Sequence, residues 1–415
     1  SERLYYEVLN EPHGITDPQW GRIQEGVILA IRKVDKTHPI VVSGAGWGSY
    51  NNLDALPRYD RAYNLIYSFH FYDPFLFSHQ GASWTNPSMV PLAGVPFPYG
   101  AGPMPACPAD LKGTWIESGL SSYQTEGTVV RVKSLLDIAA NFRDRRLVPV
   151  FCGELGVYRQ NSDNQQRAYW YEEVREYLEE KGISWTSWDY QGGFGLFNRG
   201  SNEQFEHDLN LPVVEALGLT APAQTPFVVT PDLAGFDLYT DCIAEHVQDS
   251  SYAGHGTLDF YNEAAPAAGA YCIYYTGCDR YGTIGFDFKP DKDLSVLAST
   301  GCLLDFWVRG DTPGARFDVR FIDTKTADPQ DHPWRMGATI DESVAAWDGR
   351  WNHVQIPLRN LVDRGSWDDG LWLNPPGRFD WSAVNRFEIV AEQHDFVGMQ
   401  FWFDEIRITD PPGAQ

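Results

Sequence analysis

The sequence is short of positive charge. Lys and Arg number 32 against 56 Asp and Glu, a formal charge of −24. That deficit argues against nucleic acid or an anionic membrane surface as partner, since both reward Lys/Arg patches. It suits a protein acting on a neutral substrate. No run approaches the ~20 apolar residues that span a bilayer, so no membrane-spanning segment is expected, and no stretch reads as a signal peptide. The first residue is Ser, not Met, and the native start is expected to lie upstream. Cysteine is sparse: six residues (107, 152, 242, 272, 278 and 302) with no C-x-x-C pair, which argues against a zinc site. Cys272 and Cys278 are near enough in sequence to close a small loop. Disulfides would fit an exported protein, and free buried thiols are the alternative. Internal repeats and low-complexity tracts are missing too.

What is plentiful is aromatic mass, 14% of residues with 15 Trp. Extra Trp and Tyr serve either as core filling or as flat apolar faces for stacking, and sugars are one ligand that uses such faces. At 415 residues the chain has room for two or three domains.

The hydrophobic period divides the chain. Over residues 1–220, apolar runs alternate with helical patterns: "LYYEVL" (4–9), "PIVVSG" (39–44), "LIYSFHF" (65–71), "LVPVFCG" (147–153) and "ISWTSW" (183–188). They are apolar on both faces and rich in Val, Ile and aromatics, as buried parallel strands are. Between the first two lies a helix with Asp17 as N-cap, Pro18 at its first position and an apolar stripe of Trp20, Ile23, Val27, Ile31 and Val34. A second helix is capped at Ser162 with Gln165 and stops at Gly182, and a third covers 129–142. This grammar predicts a parallel sheet of the TIM-barrel type. Residues 73–124 interrupt it with a long Pro- and Gly-rich stretch, read as a loop over the substrate.

"TAPAQTPFVVTPD" marks a linker at 221–232. Beyond it the period becomes two: "TIGFDFKP", "LLDFWVRG", "RFDVRFIDT", "HVQIPL", "RFEIVAE" and "QFWFDEIRIT" alternate polar and apolar residues between turn signals. Residues 233–415 are therefore expected to form an antiparallel β-sandwich of jelly-roll type.

In a β/α barrel the chemistry sits where strands end. The five strand ends are Asn10-Glu11, 44–47, His70 with Tyr72, Glu154, and Trp188. Two carboxylates at the ends of different strands are what glycoside hydrolysis requires, one to protonate the leaving oxygen and one to attack the anomeric carbon. Either Glu alone could be a helix cap. Tyr72 and His70 can donate hydrogen bonds that hold Glu154 ionised, while the neighbouring Glu154 charge and partial burial would keep Glu11 protonated. His13, His70 and His79 leave open a metal-dependent barrel hydrolase.

With these motifs in order, the sequence resembles the family 5 glycoside hydrolases, the cellulase-like retaining enzymes. "LNEP" is similar to the motif ending that family's fourth strand, which implies Glu11 as acid/base and Asn10 as holder of the sugar 2-hydroxyl. "CGELG" resembles the seventh-strand motif, implying Glu154 as nucleophile. "HFYDPFLFSHQGASW" resembles the sixth-strand segment and implies substrate-binding roles for His70 and Tyr72, with His79 and Trp84 on the covering loop; Trp188 resembles the Trp that floors the cleavage subsite. The resemblance covers residues 1–220 and places residue 1 just before the fourth of eight strands. Three strands, with an Arg and a His that support the cleavage subsite, are then expected to be absent, and copies of the chain are expected to associate over the open side.

The second half resembles the carbohydrate-binding sandwich modules of glycosidases. "SYAGHGTLDF" and "FWFDEIRI" are similar to their paired first and last strands, and Asp404 resembles a last-strand ligand to structural Ca²⁺; a plain surface Asp is the alternative. Trp334, Trp347, Trp351, Trp367 and Trp372 are candidates for a sugar platform, some of them core, and a sandwich that merely braces the barrel is the other reading. The resemblance as a whole implies a secreted endo-β-1,4-glucanase that needs no catalytic cofactor. A carbohydrate-binding protein that no longer cleaves is the rival, and β-mannanase or xyloglucanase the alternatives among enzymes.

Overall fold

Thr16, not Asp17, begins the first helix. Its side chain and Gln19 form a capping box, and Pro18 sits in the first turn of α1 (Asp17–Val34). The buried face of α1 also differs from the apolar stripe. Trp20, Gln24, Ile28 and Arg32 point inward while Ile23, Val27 and Val34 are exposed. Gln24 can be buried because its amide is matched on both sides. It accepts from the Ser43 N–H and donates to the Ser43 carbonyl and the Tyr59 hydroxyl, so its burial leaves no polar atom unpaired.

The structure is a computed structural model describing residues 4–411 apart from 327, 369 and 376. It divides into two compact units, Ser1–Thr225 and Pro226–Gln415, and the division falls inside the Pro/Thr/Ala segment. In the first unit β1 (Tyr6–Glu7), β2 (Ile40–Ser43), β3 (Leu65–Phe71), β4 (Val150–Leu155) and β5 (Ser184–Ser187) make one parallel sheet in chain order. Each predicted run supplies one strand, and β2 is buried along its whole length, as a central parallel strand must be. Between them lie α1, α2 (Phe75–Ser78), α3 (Trp115–Glu126), α4 (Val129–Arg146) and α5 (Asn164–Glu180). The cap of α5 is Asp163 rather than Ser162, accepting from the N–H groups of Gln165 and Gln166. Residues 73–124 are packed rather than loose. They carry α2 and most of α3 and bury Met89, Leu92, Val95 and Phe97 in the core beside the sheet.

In the second unit the strands are β6 (Phe236–Tyr239), β7 (Val247–Asp249), β8 (Thr257–Asn262), β9 (Cys272–Thr276), β10 (Thr283–Lys292), β11 (Leu303–Gly310), β12 (Phe317–Asp323), β13 (Arg335–Ile340), β14 (Asn352–Pro357), β15 (Val362–Asp368), β16 (Leu371–Leu373), β17 (Val384–Val390) and β18 (Gln400–Thr409). They form two antiparallel sheets, β16-β15-β13-β12-β17-β10-β7 and β14-β11-β18-β9-β8, with β6 on β18. Phe286, Phe306, Phe317, Phe387 and Phe403 fill the core of this unit. All six period-two runs are strands. The pairing of β8 with the last strand is not found: β18 pairs with β6, β9 and β11, and β8 pairs with β9. All six cysteines are free thiols, so the 272–278 loop is not closed by a disulfide. Among the described residues no helix is long and apolar enough to cross a membrane.

Candidate functional site

The carboxyl ends of β1, β3 and β4 converge on one nitrogen. His70, buried near the end of β3, holds its Nδ1 2.8 Å from Glu11 Oε1 and 3.2 Å from Glu154 Oε2. The three ligand atoms lie within 4.8 Å of one another. With its hydrogen on Nδ1, His70 has both carboxylates within reach of a single donor. Two sequence features permit this approach. Glu11 turns out of β1 with φ +46°. Gly153 has no Cβ where one would stand 2.6 Å from Ser68 Oγ and 3.3 Å from His70 Nε2.

Tyr72, just past β3, donates its hydroxyl to Glu154 Oε2 at 2.7 Å, and Asn10 lines the same cavity as that carboxylate. Burial lifts Glu154 above the usual carboxylate range, with His70, Tyr72 and Asn10 pulling it back and the Glu11 charge adding to the rise. The same contact and burial push the Tyr72 phenol far up, so it stays a donor. Glu11 is partly buried, as expected, and Glu154 more deeply. The Glu154 side chain is 11% exposed and that of Glu11 28%.

A cavity of about 360 Å³ opens beside this group, lined among others by Asn10, His70, Glu154 and Trp188. Trp188 presents an exposed indole at the end of β5. A second cavity of about 500 Å³, at the amino-terminal ends of β3 and β4, is bordered by Arg58, Tyr63 and Arg146 and holds no carboxylate pair. His79 is not among the residues lining the first cavity. It is buried, stacks on Phe75 at 3.9 Å and touches Tyr72, Trp84 and Phe194 edge-on. Desolvation brings its pKa down to about 3, so it is a neutral wedge behind Tyr72. Trp84 is exposed and stands edge-on to Tyr158 at 4.8 Å.

One aromatic group escaped the reading of roles. Trp47 lies parallel to His13 at 3.7 Å with its ring exposed, and His13 is two residues along the chain from Glu11. Gly46, Trp47 and Gly48 all have positive φ, and the Trp47 N–H is tied to the Pro12 carbonyl. The signal was the two glycines flanking a Trp at a strand end.

In the second unit, Trp334 and Trp347 are core, and Trp351 is tied to the Ala265 carbonyl and covered by Arg309. Trp367 and Trp372 are exposed cross-strand partners on β15 and β16. With Tyr281, Arg320, Arg335 and Glu392 they line a cleft of about 490 Å³. Asp404 is fully buried. Its carboxylate accepts the N–H groups of Ala267, Ala268 and Glu405. Calcium takes six to eight oxygens, and among the described residues no group of three His, Cys, Asp or Glu ligands includes Asp404. The donor set around it is that of a backbone latch and does not fit the ion.

A model of the cellulase family, glycosyl hydrolase family 5, matches residues 1–193, and one of carbohydrate binding domain 30 matches residues 247–410. The first part of the chain is thus similar to family 5 glycosyl hydrolases and the second to carbohydrate binding domain 30. The first unit is similar to Endoglucanase 3 of Fibrobacter succinogenes, 30% identical over 208 residues that make 48% of this chain and 31% of that protein. It is also similar to Endoglucanase H of Acetivibrio thermocellus, 31% identical over 196 residues, 47% of this chain and 17% of that one. The solved endoglucanase Cel5A of Thermotoga maritima aligns at 27% identity and TM-score 0.42, covering 52% of this chain and 60% of that one. The chain thus spans less than a third of the length of the first two relatives.

Proposed function

We propose that this family 5 segment belongs to a secreted, retaining endo-β-1,4-glucanase whose sandwich binds β-glucan. The observation that carries the reading is the single His70 nitrogen holding Glu11 and Glu154 together. Carboxyl groups ~5–5.5 Å apart serve a double displacement, whereas inverting enzymes need more room for a water. Glu154 attacks the anomeric carbon, and Glu11 gives its proton to the departing glycosidic oxygen. Glu11 then takes a proton from water, which attacks the same carbon and releases Glu154. Trp188 offers a stacking face to the ring being cleaved. Trp47, on the Glu11 side, offers one to the ring that departs. Asn10, which lines the same cavity as Glu154, is suited to hold the neighbouring sugar hydroxyl. The polymer's size favours action outside the cell. Trp367, Trp372 and Tyr281 form aromatic walls suited to a single glucan chain.

The test is reducing-sugar release from carboxymethylcellulose by this chain. Glu154→Ala should abolish turnover, and azide should restore it with inverted product stereochemistry. Normal turnover by Glu154→Ala would sink the assignment. Binding without release by the parent chain would instead favour a carbohydrate-binding protein.

A further inference from the structure

The cleft on the seven-stranded sheet has a charged floor in which one cation stands apart. Arg320 is buried and forked, Nε on Glu388 at 2.8 Å and Nη1 on Glu392 at 2.7 Å. Arg386 bridges Asp287 and Glu388. Gly337, opposite Arg320 on β12, makes room for this fork, since a Cβ there would meet Arg320 Cβ at 2.8 Å. Arg335, two residues earlier and on the same face, makes no side-chain hydrogen bond or ion pair among the described residues. Its Nε is buried without a partner, and its guanidinium carbon lies 5.6 Å from the Trp372 ring centroid. Desolvation and the Arg320 charge bring its pKa down to about 10, which leaves it protonated at neutral pH. Buried polar groups without partners are rare and costly. Here the unused donors border a cleft with room for a ligand.

We infer that Arg335 is the specificity-determining residue of this cleft, donating hydrogen bonds to the oxygens of a neutral glucan chain held between Trp367, Trp372 and Tyr281. Charge balance sets the ligand's class. Arg320 and Arg335 stand against Glu392, which lines the cleft, and Glu388, which holds Arg320, two cations against two carboxylates. An uncharged ligand keeps that balance, whereas an acidic sugar would upset it. The planar fork of Arg suits a pair of adjacent oxygens better than the point charge of Lys. The inference rests on the proposed glucan-binding role of the cleft.

The experiment uses the full chain with Glu154→Gln, so that ligand is not consumed, and measures cellohexaose binding by calorimetry and retardation in a β-glucan gel. Trp372→Ala sets the baseline contributed by sites outside the cleft. Arg335→Met should weaken cleft binding about 10-fold or more, Arg335→Lys should recover part of the loss, and near-UV circular dichroism should be unchanged in both. If Arg335→Met fails to fold, Arg335→Gln and Arg335→Lys carry the comparison. Parent-like binding by Trp372→Ala would remove the glucan role of the cleft and this inference with it. Loss in Trp372→Ala with parent-like affinity in the Arg335 variants would overturn the inference alone. A glucuronate-bearing oligosaccharide that binds tighter than cellohexaose, and depends on Arg335, would overturn the neutral-ligand assignment.

Discussion

The Tyr72 hydroxyl donates to Glu154 Oε2 at 2.7 Å, and this contact opposes the burial that raises the Glu154 pKa. Removing a donor to the charged form raises the pKa further. Tyr72→Phe should therefore move the acid limb of the kcat/KM profile to higher pH and lower the rate about 10-fold or more at pH 6. The check is a full pH profile; an acid limb that stays in place would separate Tyr72 from the Glu154 titration.

Because the folded-state pKa of Glu154 is raised, its favourable contribution to stability is complete below the ordinary carboxylate pKa. That contribution is lost as pH rises through the folded value. Glu154→Gln, neutral at every pH, should melt higher than the parent at pH 7 and by a margin that shrinks toward pH 4. Calorimetry at both pH values measures it. A variant less stable at pH 7 would mean that the Tyr72 and His70 contacts outweigh the burial.

Trp188→Ala should raise KM for cello-oligosaccharides by about 10-fold, the loss of a stacking face, with little change in melting temperature because the ring is exposed. Steady-state kinetics beside a thermal melt separates the two effects.

Asp404, buried under three N–H donors, is expected to act without a metal. EDTA should leave the sandwich's melting transition in place, whereas Asp404→Ala should cost about 2 kcal/mol or more. A transition lowered by EDTA and restored by calcium would bring the ion back.

Among the described residues β1 and β5 are the edges of the parallel sheet, and unpaired edges are templates for association. This 415-residue chain, prepared alone, should self-associate, and light scattering across a dilution series reads it directly. A stable monomer of 46.8 kDa would count against the edges as interfaces.

The period of the hydrophobic pattern made most of the sheets legible. Alternation in β10, β11, β12, β14, β17 and β18 is a property of single strands. Which strands pair is not, and so β8 was matched to the wrong neighbour. Glu11 and Glu154 were legible because strand ends select them. The burial of Gln24 and Arg32 was not, since their partners Ser43 and Tyr63 lie on other elements. His79 reads like any loop histidine until Phe75 and Phe194 close on it. Of the five sandwich tryptophans named as candidates, Trp367 and Trp372 are exposed on β15 and β16 while Trp334 and Trp347, outside the strands, are buried, a difference set by tertiary packing. Arg335 gave no signal, because an unpaired charge is recognised only by the partners it lacks.

Three successive left-handed residues at 46–48 have an effect beyond placing an indole. Such a backbone costs a non-glycine residue about 1 kcal/mol or more, and the exposed Trp47 ring recovers little of that by burial. The loop is held instead by the Trp47 N–H on the Pro12 carbonyl and by the stack on His13. A glycine at 47 would remove that backbone cost and, with it, the exposed indole stacked on His13.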